Sequence, residues 1–160
     1  MALNCLNLTI LAAVLGSAAA FGPTDSASAS SFSPTSTKFT ATGATVLMKA
    51  GYSISCTAKL RGDIDKLGKA KIESASFTGS TACADSTTGG LPWRFAATST
   101  DRGTIIGVTL TPGPLGVCGP GKIPITLILS GTISFYDAPL GGGCAMSGSL
   151  KTTPPITIGP

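Results

Sequence analysis

Cysteine is the residue type in this chain whose spacing could support chemistry. The 160 residues include five cysteines and no histidine. Without histidine, the chain lacks imidazole ligands, Cys–His and Ser–His activation of a nucleophile, and the commonest general base. Zinc sites need closely spaced pairs such as C-x-x-C, whereas Cys56, Cys83, Cys118 and Cys144 lie far apart in the sequence. We therefore predict no catalytic residues, no metal ligands and no cofactor.

The N-terminal segment changes the cysteine count. Residues 1–20, MALNCLNLTILAAVLGSAAA, are an apolar run followed by small residues, which is typical of a secretory signal peptide. The run is too short to span a membrane as a stable helix, so no transmembrane segment is predicted. Cleavage after Ala20 would remove Cys5 and leave four cysteines. An even number in an exported protein predicts two disulfides and an extracellular location.

Four cysteines allow three pairings, and the sequence does not choose between them. If neighbours pair, Cys56 with Cys83 and Cys118 with Cys144, chain entropy predicts a stabilisation of roughly 3–4 kcal/mol from each disulfide. Cys144, in the stretch GGGCAMSG, is interpreted as one half of a disulfide. A catalytic thiol is the alternative.

The chain has few charged residues. Asp, Glu, Lys and Arg make up 11% of it, against about 25% in ordinary globular proteins. The surface must then consist largely of Ser, Thr and Gly, which separates the protein only weakly from apolar surfaces and from copies of itself. The densest basic stretch, Lys59 to Lys71, is interrupted by Asp63 and Asp65. We interpret it as a solvated turn, and no nucleic-acid partner is predicted.

Alternation of apolar and polar residues indicates β-strands along most of the chain. The stretches YSISCTAKLR and KIPITLILS each place every second residue on one face. The residues predicted to point inward are Tyr52, Ile54, Cys56, Ala58 and Leu60, then Ile123, Ile125, Leu127 and Leu129. With glycine- and proline-rich turns between the strands, the sequence predicts an all-β fold: a single antiparallel β-sandwich or barrel of about eight or nine short strands, linked by disulfides.

The predicted organisation has three parts. The signal peptide covers residues 1–20, and residues 21–35, FGPTDSASASSFSPT, form a low-complexity, flexible leader. The β-domain covers residues 36–160.

The segment GGLPWRF is the candidate contact site in the sequence. It places Leu91, Trp93 and Phe95 directly after a flexible turn. The preferred interpretation is that Trp93, the one tryptophan, fills the core at the start of a strand. The alternative is an exposed apolar tip that contacts oil, lipid or another subunit.

Several segments resemble one family of small secreted bacterial proteins, the activators of alkane oxidation. The similarity runs from about Phe32 to Ile158 and includes the four cysteines and the segments FTGSTACA, LPWRF, LGVCGPG and GGGCAMSGSLKTTPPITI. The family has no known catalytic residues. The resemblance implies an extracellular, non-enzymatic protein that promotes growth on long-chain alkanes by aiding emulsification or contact with alkane droplets.

Two other functions are compatible with the sequence. Residues 30–49 favour β-structure and could pair with an open sheet edge of a neighbouring copy. This predicts self-association as the subunit of a surface fibre or adhesin. A hydrolase is the third hypothesis, and it has the least support because Glu73 is the single glutamate and the aspartates fall mainly in turns.

Overall fold

The computed structural model describes residues 30–160. The predicted signal peptide and residues 21–29 of the predicted leader lie outside this range. The described chain contains one short helix, α1 (Thr81–Ala84), and a 3₁₀ turn at Gly113–Leu115. Its strands are β1 (Ser31–Ser33), β2 (Thr37–Lys49), β3 (Tyr52–Ile64), β4 (Ala70–Gly79), β5 (Thr87–Gly89), β6 (Trp93–Ala97), β7 (Arg102–Thr111), β8 (Cys118–Ile128), β9 (Thr132–Leu140), β10 (Cys144–Thr153) and β11 (Thr157–Gly159).

Eight of these strands close into an antiparallel barrel. The order around it is β7–β6–β4–β3–β2–β10–β9–β8, and pairing of β8 with β7 closes the ring. β5 is an additional strand on the same side of β7 as β6. It pairs with residues 109–111 of β7, whereas β6 pairs with residues 103–106. Closure removes most of the free strand edges, which is how barrels avoid uncontrolled pairing with other chains. The exception in the described chain is β4, because β6 pairs only with residues 70–72 and residues 73–79 are paired with β3 alone.

The interior of the barrel is filled with side chains. Apolar residues at alternate positions of every barrel strand point inward and form one continuous core. Eight strands enclose a space just wide enough for side chains to fill. The two internal voids are each about 20 Å³, enough for about one water molecule. A long alkane therefore has no room inside this structure.

The two ends of the barrel are closed differently. At one end, which we call the ribbon end, β1 and β11 form a two-stranded ribbon. Phe32 of this ribbon is 1% exposed, and its ring lies 4.4 Å from that of Phe95 between centroids. The β3–β4 and β8–β9 turns lie at the same end. At the other end, which we call the disulfide end, lie the β2–β3 turn, the β9–β10 turn, α1, the 3₁₀ turn and both disulfides.

The predicted fold class is confirmed, and three details are corrected. Tyr52 and Leu129 were expected to point into the core but are 72% and 87% exposed. Each continues the alternation of its strand to a position where the chain has already reached a turn at the end of the barrel. The boundary of the β-domain also moves, because β1 lies within the predicted leader. Burial of Phe32 and pairing with β11 hold that segment in place.

Candidate functional site

Tight turns shape the disulfide end. The β2–β3 connection has only two residues, Ala50 and Gly51, with φ of 49° and 83°. Two positive φ values in succession are typical of the hairpin turns that match strand twist. The hairpin brings Tyr52 directly opposite Lys49 and projects it beyond the core.

The glycines of GGGCAMSG are explained by positive φ values in the turn and, at Gly141 and Gly142, by a close approach of two backbones. Gly142 and Gly143 have φ of 78° and 73°. A side chain on Gly142 would place its Cβ 2.7 Å from the carbonyl oxygen of Val117. The amide of Gly119 donates a hydrogen bond of 2.8 Å to the carbonyl of Gly141. The β9–β10 turn thus lies directly against the start of β8.

Both disulfides lie at this end. Cys56 of β3 is bonded to Cys83 of α1, and Cys118 of β8 is bonded to Cys144 of β10, each with Cα atoms 5.7 Å apart. The second bond joins two strands that are separated in the barrel by β9. In this structure, Cys144 is therefore half of a disulfide, and the sequential pairing is the one present.

Charged side chains are distributed unevenly along the barrel axis. Of the charged residues in the described range, the disulfide end carries Lys49, Asp85 and Asp137, while Lys59 and Lys122 lie near the middle of their strands. Asp137 lines a shallow depression at this end together with Lys49 and Tyr52. The remainder lie in the half nearer the ribbon end: Lys38, Arg61, Asp63, Asp65, Lys66, Lys69, Lys71, Glu73, Arg94, Asp101, Arg102 and Lys151.

The lysine at the disulfide end is bound to backbone. The Nζ of Lys49 donates hydrogen bonds to the carbonyl oxygens of Leu115 and Val117, at 2.8 and 3.3 Å. This ties the ammonium group to the loop that precedes β8. Lys49 keeps its charge, and with Asp85 and Asp137 it makes up the charged residues of this end, against twelve in the half nearer the ribbon end.

Apolar side chains face solvent at this end. Tyr52 is 72% and Val117 56% exposed, and Ile54 and Leu115 are partly buried nearby. Below them lies a small apolar void whose lining includes Leu47, Ile54, Cys56, Phe77, Leu110, Pro112 and Met146. We define the candidate contact surface as Tyr52, Ile54, Leu115 and Val117.

The predicted contact at GGLPWRF does not lie on the surface. Trp93 and Phe95 are 3% and 2% exposed, and Leu91 is partly buried against the core. The indole N–H of Trp93 donates a 2.8 Å hydrogen bond to the carbonyl of Gly89. The preferred interpretation of Trp93 as a core residue agrees with these positions. The alternative of an exposed tip is not supported, because these rings have almost no surface left to offer oil or a partner.

Sequence reasoning did not identify Tyr52 or Val117 as contact residues. Tyr52 belongs to an alternating run that predicts burial, and Val117 sits in a proline- and glycine-rich stretch. A signal for Tyr52 is present in the sequence, since it directly follows Ala50-Gly51, a turn of two residues between two alternating runs. Nothing in the local sequence brings Val117 next to that hairpin.

The titratable groups with altered pKa values lie away from the disulfide end. The backbone amide of Lys69, and also that of Leu67, hydrogen bond to the carboxylate of Asp65 and lower its pKa, partly opposed by desolvation. The ion pair with Glu73, 3.0 Å long, raises the pKa of Lys71. Lys71 is exposed and Asp65 partly exposed, and both pairings are local features of β3, β4 and their turn.

Residues 30–160 contain no group of three or more His, Cys, Asp or Glu side chains placed to hold a metal ion. Within that same range, no helix is long and apolar enough to cross a membrane.

The fold defines the class of protein: it is a closed β-barrel with two disulfides and one end that carries few charges. A family model described as "Alkane oxidation protein activator PraA/PraB-like" matches residues 5–160, and the chain belongs to this family. Searches of curated proteins and of solved structures gave no match to this chain.

Proposed function

We propose that this protein is a secreted, non-enzymatic accessory protein that promotes growth on long-chain alkanes by acting at the oil–water or cell surface. The contact with alkane droplets is made by the disulfide end. Membership of the activator family supports a role in alkane use. The two disulfides support an extracellular location, because such bonds persist in oxidising compartments.

The observation that carries the proposal is the distribution of charge along the barrel. A contact with oil must remove apolar surface from water without also stripping water from charged groups. The disulfide end comes nearer to this condition than the ribbon end, because Tyr52 and Val117 are exposed there, Lys49 is bound to carbonyls, and the other charged residues of this end are Asp85 and Asp137. Removing about 200 Å² of apolar surface from water contributes about 5 kcal/mol, enough for reversible adsorption.

The filled interior supports adsorption over encapsulation. The voids of about 20 Å³ are far smaller than a long alkane. Contact with oil through the outer surface lets the barrel stay folded while it adsorbs.

Adsorption to hexadecane droplets tests the proposal. We expect the wild-type protein to partition to the droplets and to lower interfacial tension in a pendant-drop measurement. The double substitution Tyr52→Ser with Val117→Ser should weaken partitioning by about tenfold or more, because each large side chain contributes about 1.5–3 kcal/mol when it leaves water. Circular dichroism of the variant should be unchanged, since both side chains are exposed.

The matched control lies at the ribbon end. Ile128 and Leu129 are 52% and 87% exposed, and Ile128→Ser with Leu129→Ser should leave partitioning nearly unchanged. If this control loses adsorption and the first variant does not, the oil contact lies at the ribbon end. If wild-type protein shows no preference for droplets over water, the role at oil surfaces is wrong.

The fibre-subunit hypothesis is the second candidate, and the structure offers it less support. Residues 31–33 are paired with β11, and β2 is paired on both sides with β3 and β10. Assembly through these strands would require existing pairs to open. Size-exclusion chromatography of secreted protein tests this, since a fibre subunit elutes as large assemblies and a closed barrel elutes as a monomer.

A further inference from the structure

Four basic side chains form a band on the outside of the barrel, in the half nearer the ribbon end. We call this the basic face: Lys38 of β2, Arg61 of β3, Lys71 of β4 and Arg94 of β6. All four are exposed. In the strand register, Lys38 lies opposite Asp63, Asp63 opposite Lys71, and Lys71 opposite Arg94. Because strands lie about 4.8 Å apart, this row spans about 14 Å.

The carboxylates of this region offset only part of the basic charge. Asp63 lies in the row between Lys38 and Lys71, Glu73 is paired with Lys71 at 3.0 Å, and the carboxylate of Asp65 accepts two backbone hydrogen bonds within its own turn. Within residues 30–160, Lys38, Arg61 and Arg94 form no ion pair. Lys66 and Lys69 in the adjacent turn add further positive charge.

The shape of the basic face favours an extended ligand. A shallow groove of about 440 Å³ lies at one side of it, lined by Lys38 and Arg61 together with Phe39, Thr40, Gly62, Glu73 and Ser74. Lys71 and Arg94 lie outside this groove on β4 and β6, so the four cations are spread over four strands and do not converge on one pocket. This arrangement fits a layer of phosphates better than one small anion.

We propose that the basic face binds a surface of anionic phospholipid headgroups. Each Lys or Arg side chain near such a surface adds to the free energy of binding. Salt screens this attraction, so binding weakens as the salt concentration rises. The outward-facing residues of the row and groove include no aromatic side chain on which nucleic-acid bases could stack. Phosphate in a lipid layer is therefore the ligand that the face fits.

This binding is independent of the contact with oil. The basic face lies toward the ribbon end and the candidate contact surface lies at the disulfide end, so the two can be occupied at once. The protein can then hold an anionic surface against an alkane droplet.

Co-sedimentation with vesicles, in the absence of oil, tests the inference. We expect the protein to bind vesicles of phosphatidylglycerol and phosphatidylcholine, to bind pure phosphatidylcholine far less, and to be released by high salt. Lys38→Gln with Arg94→Gln should reduce binding to the anionic vesicles by at least about tenfold. This pair leaves the ion pair of Lys71 and Glu73 intact.

A control variant with the same change in net charge is available. Lys122→Gln with Lys151→Gln removes two positive charges from β8 and β10, outside the row. It should retain most of the binding, and thermal melts should show that both variants are folded. Equal losses in the two variants would mean that net charge alone acts, and the inference would be wrong. It would also be overturned by absent wild-type binding, by equal binding to both vesicle types, or by tighter binding to duplex DNA at the same salt concentration.

Discussion

The two ends of the barrel expose similar apolar side chains in different surroundings. At the ribbon end, Leu67 is 65% exposed but is flanked by Lys66 and lies two residues before Lys69. At the disulfide end, Tyr52 and Val117 are exposed beside a lysine whose ammonium group is bound to carbonyls. Nearby charges keep a surface hydrated, so the exposure of an apolar side chain does not by itself identify a contact with oil. The proposed oil contact therefore rests on the scarcity of charge at the disulfide end as well as on exposure.

The ends also differ in how they are closed. The ribbon end is closed by packing, with Phe32, Ile156 and Ile158 buried beneath the ribbon. The disulfide end is closed by turns and by two covalent bonds. Cross-links hold loops in place without burying every apolar side chain, and this allows Tyr52 and Val117 to remain at the surface.

Removing the aromatic plug should have the largest effect on stability. Phe32 is 1% exposed and packs against Phe95, so Phe32→Ala should lower the free energy of unfolding by about 3–5 kcal/mol. Urea denaturation measures this. The control Leu129→Ala, at an 87% exposed position of the same end, should change stability by less than about 0.5 kcal/mol. A loss below about 1 kcal/mol for Phe32→Ala would show that the ribbon does not stabilise the barrel.

Removing one disulfide should have a slightly smaller effect. Cys118→Ser with Cys144→Ser should cost about 3–4 kcal/mol, because the bond closes a loop with a sequence separation of 26. Cys56→Ser with Cys83→Ser should cost about the same, since that separation is 27. Urea denaturation of the two variants provides the comparison. If neither loses more than about 1 kcal/mol, the turns of the disulfide end are held by packing alone.

Much of the fold could be predicted from the sequence because its signals are local. Alternation within a strand and glycine or proline between strands predict antiparallel β-structure without knowledge of the partners. Local signals do not distinguish a sandwich from a barrel, since closure depends on the pairing of β7 with β8. The prediction of burial is wrong at strand ends. The alternating pattern continues through Leu129, although β8 ends at Ile128.

The candidate site was harder to predict because its residues are distant in sequence. Lys49 and Val117 meet only when β2 and the loop before β8 reach the same end of the barrel. The basic stretch from Lys59 to Lys71 was interpreted as a solvated turn from its own charges. Lys38 and Arg94 join that region through strand register, which the local composition does not contain.

Two glycines of one turn offer a smaller and sharper test of the disulfide end. Gly142→Ala must accommodate both a positive φ of 78° and a Cβ placed 2.7 Å from the Val117 oxygen. Gly143→Ala should cost only the free energy of placing alanine at a positive φ, about 1–2 kcal/mol, because no atom lies within 4 Å of the added Cβ. We expect Gly142→Ala to be the more destabilising of the two in thermal unfolding. Equal melting temperatures would mean that β8 shifts freely away from the β9–β10 turn.

The smallest expected effect is a pH dependence at the ribbon end. The amides of Lys69 and Leu67 hydrogen bond to the carboxylate of Asp65 and lower its pKa from 3.8. A folded-state pKa below the unfolded value means that the carboxylate stabilises the β3–β4 turn above about pH 4, and that this contribution is lost as the pH falls through the folded-state pKa. Asp65→Asn should therefore lower the melting temperature slightly at pH 7, and the difference from wild type should shrink toward pH 2. Asp85→Asn, an exposed aspartate at the disulfide end, is the matched control and should show a smaller difference at pH 7. Calorimetry at pH 7 and pH 2 measures these differences in melting temperature. If Asp65→Asn and wild type differ by the same amount at both pH values, the charge of Asp65 does not stabilise the turn.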